Sequence, residues 1–189
     1  MVSFKKKWGS FRYQVLIYLF NWVAIYLPIS YRPGGKVGKW FRAILAKRLF
    51  LSCGQGVNVE HGAFIEQPWR LEIGDGSGIG VNSYVDGPVK IGEQVMMGPQ
   101  VTIYRRNHNT SKVDVPMSEQ GFGSFVPLEI EDDVWIGGHV IILPSVKKIG
   151  KGSVVAAGAV LVKDALPFEV IAGNPGCVIK SRNNCKEAS

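Results

Sequence analysis

Aliphatic residues recur every six positions through Ile73, Ile79, Val85, Ile91, Met97 and Ile103, and Gly74, Gly80, Gly92 and Gly98 directly follow four of them. An α-helix repeats at 3.6 residues and a half-buried strand at 2, so neither produces this period. A second phase, two positions earlier in each unit, runs through Val59, Ile65, Leu71, Val89, Val95 and Val101 and starts the pattern near Val57. After a break the period resumes at Ile130, Ile136 and Ile142, slips by one residue beside Lys147 and Lys148, and continues through Ile149, Val155 and Leu161. One buried aliphatic and one small residue per unit describe a short flat strand ending in a tight corner. Three units close a triangular coil of about eighteen residues, and stacked coils place like side chains in internal ladders. Glycine suits the corner because a side chain would crowd the backbone there or because a positive φ is needed. The slip predicts a bulge at a corner. The expectation is an all-β solenoid over residues 57–182, its first end covered by a helical segment 1–56. The chain after Pro167 can fold back along a face, leaving residues 183–189 as a tail.

The first fifty residues follow another pattern. Residues 15–27 are apolar except for Asn21, and as a helix they would measure about 20 Å against a hydrocarbon core of ~30 Å. That is too short to span comfortably. Basic residues flank the run, and Trp8, Tyr13, Trp22, Tyr26 and Trp40 are amphipathic aromatics of the kind that favour a headgroup boundary. The segment is expected either to lie on an anionic membrane surface or to cap the solenoid or a neighbouring subunit. No Ala-x-Ala-like site follows Leu27, and Pro28 and Pro33 interrupt instead, which argues against a cleaved signal peptide.

Charge sharpens this division. Of 22 Lys and Arg, ten precede residue 60 (Lys5, Lys6, Lys7, Arg12, Arg32, Lys36, Lys39, Arg42, Lys47 and Arg48), and the first acid is Glu60. The remaining residues hold 12 basic against 15 acidic side chains, so the formal +7 averages two unlike segments. Each Lys or Arg near an anionic leaflet contributes roughly 1 kcal/mol, enough together for peripheral attachment. A nucleic-acid surface would not need the aliphatic run that accompanies these charges. Cys53, Cys177 and Cys185 are odd in number and lack CxxC spacing, which argues against a disulfide scaffold or zinc knuckle and for a reducing cytoplasm.

Residues 54–182 resemble the hexapeptide-repeat acyltransferases, in the branch of galactoside, maltose and xenobiotic acetyltransferases and polysaccharide O-acetyltransferases. The resemblance is carried by Asp132-Asp133-Val134-Trp135-Ile136-Gly137-Gly138-His139-Val140, Ala156-Ala157-Gly158, Val162-Lys163-Asp164 and Ala172-Gly173-Asn174-Pro175. It implies a left-handed parallel β-helix, a homotrimer, and an acetyl-CoA site in the groove between subunits.

The period stops between Ile103 and Ile130, and the excursion over residues 104–129 is too long for a corner; a loop of this length in a solenoid usually carries function. It contains Arg105-Arg106-Asn107-His108, and His108 is where the resembled family places its catalytic base. Imidazole titrates near neutrality and can take the acceptor hydroxyl proton, worth typically ~10² to 10⁴-fold in rate. No GxSxG motif offers a nucleophile, so direct attack by the acceptor is expected. Backbone N–H groups near Gly137 and Gly138 are candidates to stabilise the charge that develops on oxygen. By the same resemblance Gly138 contacts the cofactor and Asn82 lies near the thioester. Asp86 meets sugar hydroxyls and Trp135 borders the groove; alternatively these four are a corner glycine, corner polarity, turn chemistry and a corner shield. Glu119 could orient His108 or bind an acceptor hydroxyl. Ala157 and Gly158 would give pantetheine a smooth wall, Val162 and Lys163 its backbone and cation contacts, and Lys180 a phosphate contact. Cys177 stands where close relatives often carry arginine, a loss that Lys163 or Arg182 would have to compensate. His61 and His139 read as ordinary polar positions, and the separations among the three histidines do not suit a histidine-bound metal.

The sequence therefore points to acetyl-CoA-dependent O-acetylation of a sugar hydroxyl in surface polysaccharide or its lipid-linked precursor. The alternatives are N-acetylation of an amino sugar, acetylation of a xenobiotic, and a non-catalytic trimeric scaffold.

Overall fold

The computed structural model describes residues 10–184. Lys5, Lys6, Lys7 and Trp8 of the basic segment, and Cys185 with the rest of the tail, lie outside the described residues. Short parallel strands stack in three columns, the faces of a left-handed β-helix of about six turns. Face A holds Ser52–Cys53, Leu71–Ile73, Val89–Ile91, Leu128–Ile130 and Lys148–Ile149. Face B holds Asn58–Val59, Gly78–Ile79, Met96–Met97, Trp135–Ile136, Val154–Val155 and Glu169–Ala172. Face C holds Phe64–Ile65, Tyr84–Val85, Thr102–Ile103, Ile141–Ile142 and Val160–Leu161.

The aliphatic ladder forms the core. Ile73 pairs with Ile91 and Ile91 with Ile130 on face A, while Val85, Ile103, Ile142 and Leu161 pair in turn on face C, all of them buried. One phase assignment is corrected. Val59 and Ile65 belong to the main ladder, paired with Ile79 and Val85, because the 3₁₀ turn Pro68–Arg70 lengthens the connection between the first two coils. Solenoid pairing also starts at Ser52, ahead of residue 57. The second phase of the next coil is then occupied by Ser77 and Ser83, both buried. Ser77 Oγ donates to the Gly92 carbonyl (2.7 Å) and accepts from the Val95 N–H (2.9 Å), so its hydroxyl is satisfied inside the core.

The corners decide between the two roles of glycine. A Cβ on Gly80 would fall on the Gly98 carbonyl, and one on Gly98 would come within 2.6 Å of the Gly138 nitrogen, so these positions are glycine because coils approach closely. Positive φ falls two residues later, at Asn82, Gln100, His139 and Gly158 along one corner. The one-residue slip is a turn, with the Val146 N–H donating to the Leu143 carbonyl (3.0 Å). Asp164 closes it by accepting from the N–H groups of Lys147 (2.6 Å) and Lys148 (3.1 Å). Beyond face B the chain turns back as Cys177–Ser181, antiparallel to Glu169–Ala172.

Helices α1 (Phe11–Trp22) and α2 (Gly35–Leu49) close the first end. Ser10 caps α1 by accepting from the Tyr13 N–H (3.3 Å), and Phe20, Leu45, Leu49 and Phe50 join Val57 and Val59 in one core. Arg42, counted above among the basic residues of a membrane-facing segment, is instead fully buried. Its guanidinium donates to the carbonyls of Leu27 (3.0 Å), Pro28 (3.3 Å) and Val59, and pairs with Glu60 at 3.4 Å. Burial pushes the Glu60 carboxyl up, but hydrogen bonds from Ser30 and Asn58 and the charge of Arg42 together hold it below its ordinary range. Among the described residues no helix is long and apolar enough to cross a membrane.

Candidate active site

The chain leaves face C after Thr102–Ile103 and returns at Leu128–Ile130. Arg105 fixes the root of this excursion. It is fully buried and donates to four carbonyls: Val126 (2.7 Å), Leu143 (3.1 Å), Pro144 (3.2 Å) and Val146 (2.6 Å). Desolvation lowers its pKa to about 10, with Asp86 and Asp164 opposing.

His108 lies on the exposed limb of the loop, bridged antiparallel to Phe122, with its ring centroid 3.9 Å from the phenyl ring. Arg106 reaches back from there. Its guanidinium lies 4.4 Å over Phe122 and 4.5 Å over Phe125, and one nitrogen is 3.5 Å from Glu66. Glu66 also accepts from the Tyr84 hydroxyl. Asp86 follows Val85 as Glu66 follows Ile65, one coil on. Its Oδ2 accepts from the Arg105 N–H (3.4 Å); its buried Oδ1 meets no fixed donor among the described residues, while the Asp86 carboxyl interacts with that of Glu66. Burial and the charge of Glu66 raise the Asp86 carboxyl above the usual range, against the pull of the Arg105 N–H and Arg106. Beside this cluster Phe64, Tyr84 and Tyr104 stack at 6.0 and 5.8 Å.

Contacts thus run continuously from Asp86 and Glu66 through Arg106 and Phe122 to His108. The sequence singled out Asp86 and His108 but not Glu66, Arg106 and Phe122 between them. Glu66 was legible only with the corrected phase, which puts it in register with Asp86. Glu119 lies exposed in the 3₁₀ turn Met117–Glu119, and no hydrogen bond among the described residues joins it to His108.

The other candidates gather elsewhere. Asn82, in the left-handed conformation, shares an edge with Gly138, Ala157 and Gly158, and the Gly158 N–H donates to the Gly138 carbonyl (2.9 Å). A Cβ on Gly138 would press on Pro99 at 3.2 Å, while beside Gly158 nothing lies within 4 Å. The edge is thus open at Gly158 and closed by Pro99 at Gly138. The Gly137 N–H is committed to the Val155 carbonyl (2.7 Å), so of the two glycines expected to stabilise developing charge only Gly138 remains a candidate. Val162 and Lys163 lie beyond the strand Val160–Leu161, at the opposite end of face C, where Lys163 is exposed. Trp135 and Lys180 are on face B, Trp135 half-exposed beside Met96 and Lys180 paired with Val170. Arg182 is held by Asp133 (3.5 Å) and the Gly152 carbonyl (2.5 Å), while Cys177 is exposed. His61 sits with Nδ1 3.2 Å from the Leu27 carbonyl and His139 occupies an exposed corner. Among the described residues no three His, Cys, Asp or Glu side chains converge as metal ligands would.

A family model described as the hexapeptide repeat of succinyl-transferase matches residues 70–103 and 127–163. Galactoside O-acetyltransferase of Escherichia coli is 34% identical over 151 residues, covering 76% of this chain and 70% of that protein. A Saccharomyces cerevisiae relative is 42% identical over 124 residues, and the chain spans 61% of its length. The crystal structure of a hexapeptide-repeat acetyltransferase from Vibrio cholerae complexed with acetyl-coenzyme A superposes with a TM-score of 0.72 at 28% identity. That match covers 92% of this chain and 91% of the other.

Proposed function

The chain belongs to the hexapeptide-repeat acetyltransferases, and from that premise we propose that it transfers acetyl from acetyl-CoA to a sugar hydroxyl in surface polysaccharide assembly, on a free or lipid-linked saccharide. The observation that carries the sugar reading is the Glu66 carboxyl, about a third exposed and interacting with that of Asp86, beside the rings of Phe64, Tyr84 and Tyr104. A saccharide offers hydroxyl donors to carboxylates and C–H faces to aromatic rings, and this surface presents both complements next to His108.

Acetyl-CoA supplies an activated acyl group. His108 takes the proton of the acceptor hydroxyl on a ring nitrogen, with Phe122 and Arg106 holding the imidazole against the loop. Asp86 and Glu66 orient the acceptor by accepting from its hydroxyls. Gly138, Ala157 and Gly158 line the pantetheine path, and Val162, Lys163 and Lys180 bind the rest of the donor. Face A carries Glu72, Lys90, Glu129 and Lys148 in register, with Lys90 and Glu129 2.8 Å apart, whereas Phe64, Met96 and Trp135 are exposed on faces C and B. This contrast supports a trimer with face A outward and face B of each subunit against face C of the next. Trp135 and Lys180 would then complete the His108 groove of a neighbour.

His108→Ala should lower kcat by at least ~10²-fold while calorimetric CoA binding is retained. An unchanged rate would remove His108 as base. The acetylated product should be lost in mild base as an ester; a base-stable amide would replace O-acetylation with N-acetylation, and absence of CoA binding would favour the scaffold.

A further inference from the structure

Helix α1 is apolar on both sides. Tyr13 and Phe20 turn into the core, while Phe11, Val15, Tyr18 and Trp22, spaced along one stripe, stand 40–84% exposed. On α2 Val37 and Trp40 are also exposed, among Lys36, Lys47 and Arg48. Two grooves flank Lys47. One, of about 290 Å³, is lined by Lys36, Lys39 and Trp40; the other, of about 450 Å³, joins Arg12 and Arg48 to Leu16 and Phe50. Each sets cations against an apolar wall.

Large apolar side chains exposed together on one element beside cations mark an interaction site. A second copy of the same face is a poor occupant, because no acid precedes Glu60 and like charges would meet. We propose that the helical cap docks in the plane of an anionic bilayer, with lipid phosphates over the two grooves and the α1 stripe among the acyl chains. Charge complementarity selects this occupant, and the absence of a spanning helix among the described residues agrees with in-plane contact. Arg42 contributes no surface charge; the exposed basic residues of α1 and α2 do.

The full chain, sedimented with vesicles of phosphatidylcholine containing about 30% phosphatidylglycerol, should bind at least ~10-fold more than to pure phosphatidylcholine and should be released by raised salt. Lys36→Glu with Lys39→Glu and Lys47→Glu should reduce that binding by at least ~10²-fold, at about fivefold for each of the three attractive charges lost. Trp22→Ser should weaken binding without changing acetyl transfer to a soluble acceptor, so the docking and catalytic readings fail separately. Equal binding to both vesicles, no binding to either, or indifference to the charge reversals overturns the proposal. A changed oligomeric state in Trp22→Ser, with vesicle binding intact, assigns the face to a second copy and overturns it as well.

Discussion

Arg42 and Arg105 are both fully shielded from water, and both turn the guanidinium onto backbone carbonyls where the six-residue repeat is interrupted. Arg42 sits where the helical cap meets the first coil and has Glu60 for a counter-ion. Arg105 sits where the long loop leaves the third coil. Its guanidinium donates to carbonyls, while Asp86, which accepts from its backbone N–H, and Asp164 act on that charge through space. The cap seam is therefore neutralised and serves attachment. The loop seam keeps a charge in low dielectric close to the Asp86 carboxyl, an arrangement that is costly to the fold.

The largest test of this contrast is Arg42→Met. It leaves Glu60 buried without its cation and should destabilise the protein by about 3–5 kcal/mol, read by urea denaturation. Glu60 carries a depressed carboxyl pKa, so its stabilisation is fully present above the unfolded value and fades as pH falls through the lower folded one. Ser30 and Asn58 contribute more to that depression than Arg42, so the acid-side loss should be only modestly smaller in the variant; a loss larger than in the parent would sink the assignment of Glu60 as the partner. Arg105→Met strands carbonyls and no counter-ion, and should cost about 1–3 kcal/mol for each of them that water does not reach. Its effect on turnover should nevertheless exceed its effect on stability, because the root that positions His108 loosens; Arg105→Lys keeps the charge without the fork and should not restore the rate. If stability alone falls, Arg105 is no positioning residue. The smallest effect is expected on face A. Lys90→Ala removes an exposed ion pair and should leave the denaturation midpoint unchanged within error. A shift as large as that of Arg42→Met would erase the distinction between seam and surface charge.

These seams also explain what could be read from the chain. The ladder from Ile73 to Ile103 was legible because one residue in six must be aliphatic and its neighbour small. The phase of Val59 and Ile65 was not, since the turn Pro68–Arg70 adds length without disturbing their own spacing. Arg42 reads as one more surface cation; its burial depends on Ser30, Glu60 and three carbonyls brought together only by folding. His108 was found because it lies in the break. Arg106 and Phe122, which connect it to Glu66, are joined by loop geometry that no period encodes. Trp135 and Lys180, named with His108 from the resemblance, stand on face B, apart from the loop that carries His108.

The Arg105 grip has a mechanical side. In a stack whose coils touch only their neighbours, axial tension passes from one coil to the next, and an insertion is the natural place for the stack to part. Arg105 leaves the third coil and clasps carbonyls at the last corner of the fourth, together with the returning limb of the loop. The joint that carries the insertion is thereby cross-tied, and the weak points move outward to the terminal coils. Under strain the solenoid should fray from its ends, and the turn bearing His108 should be among the last to open.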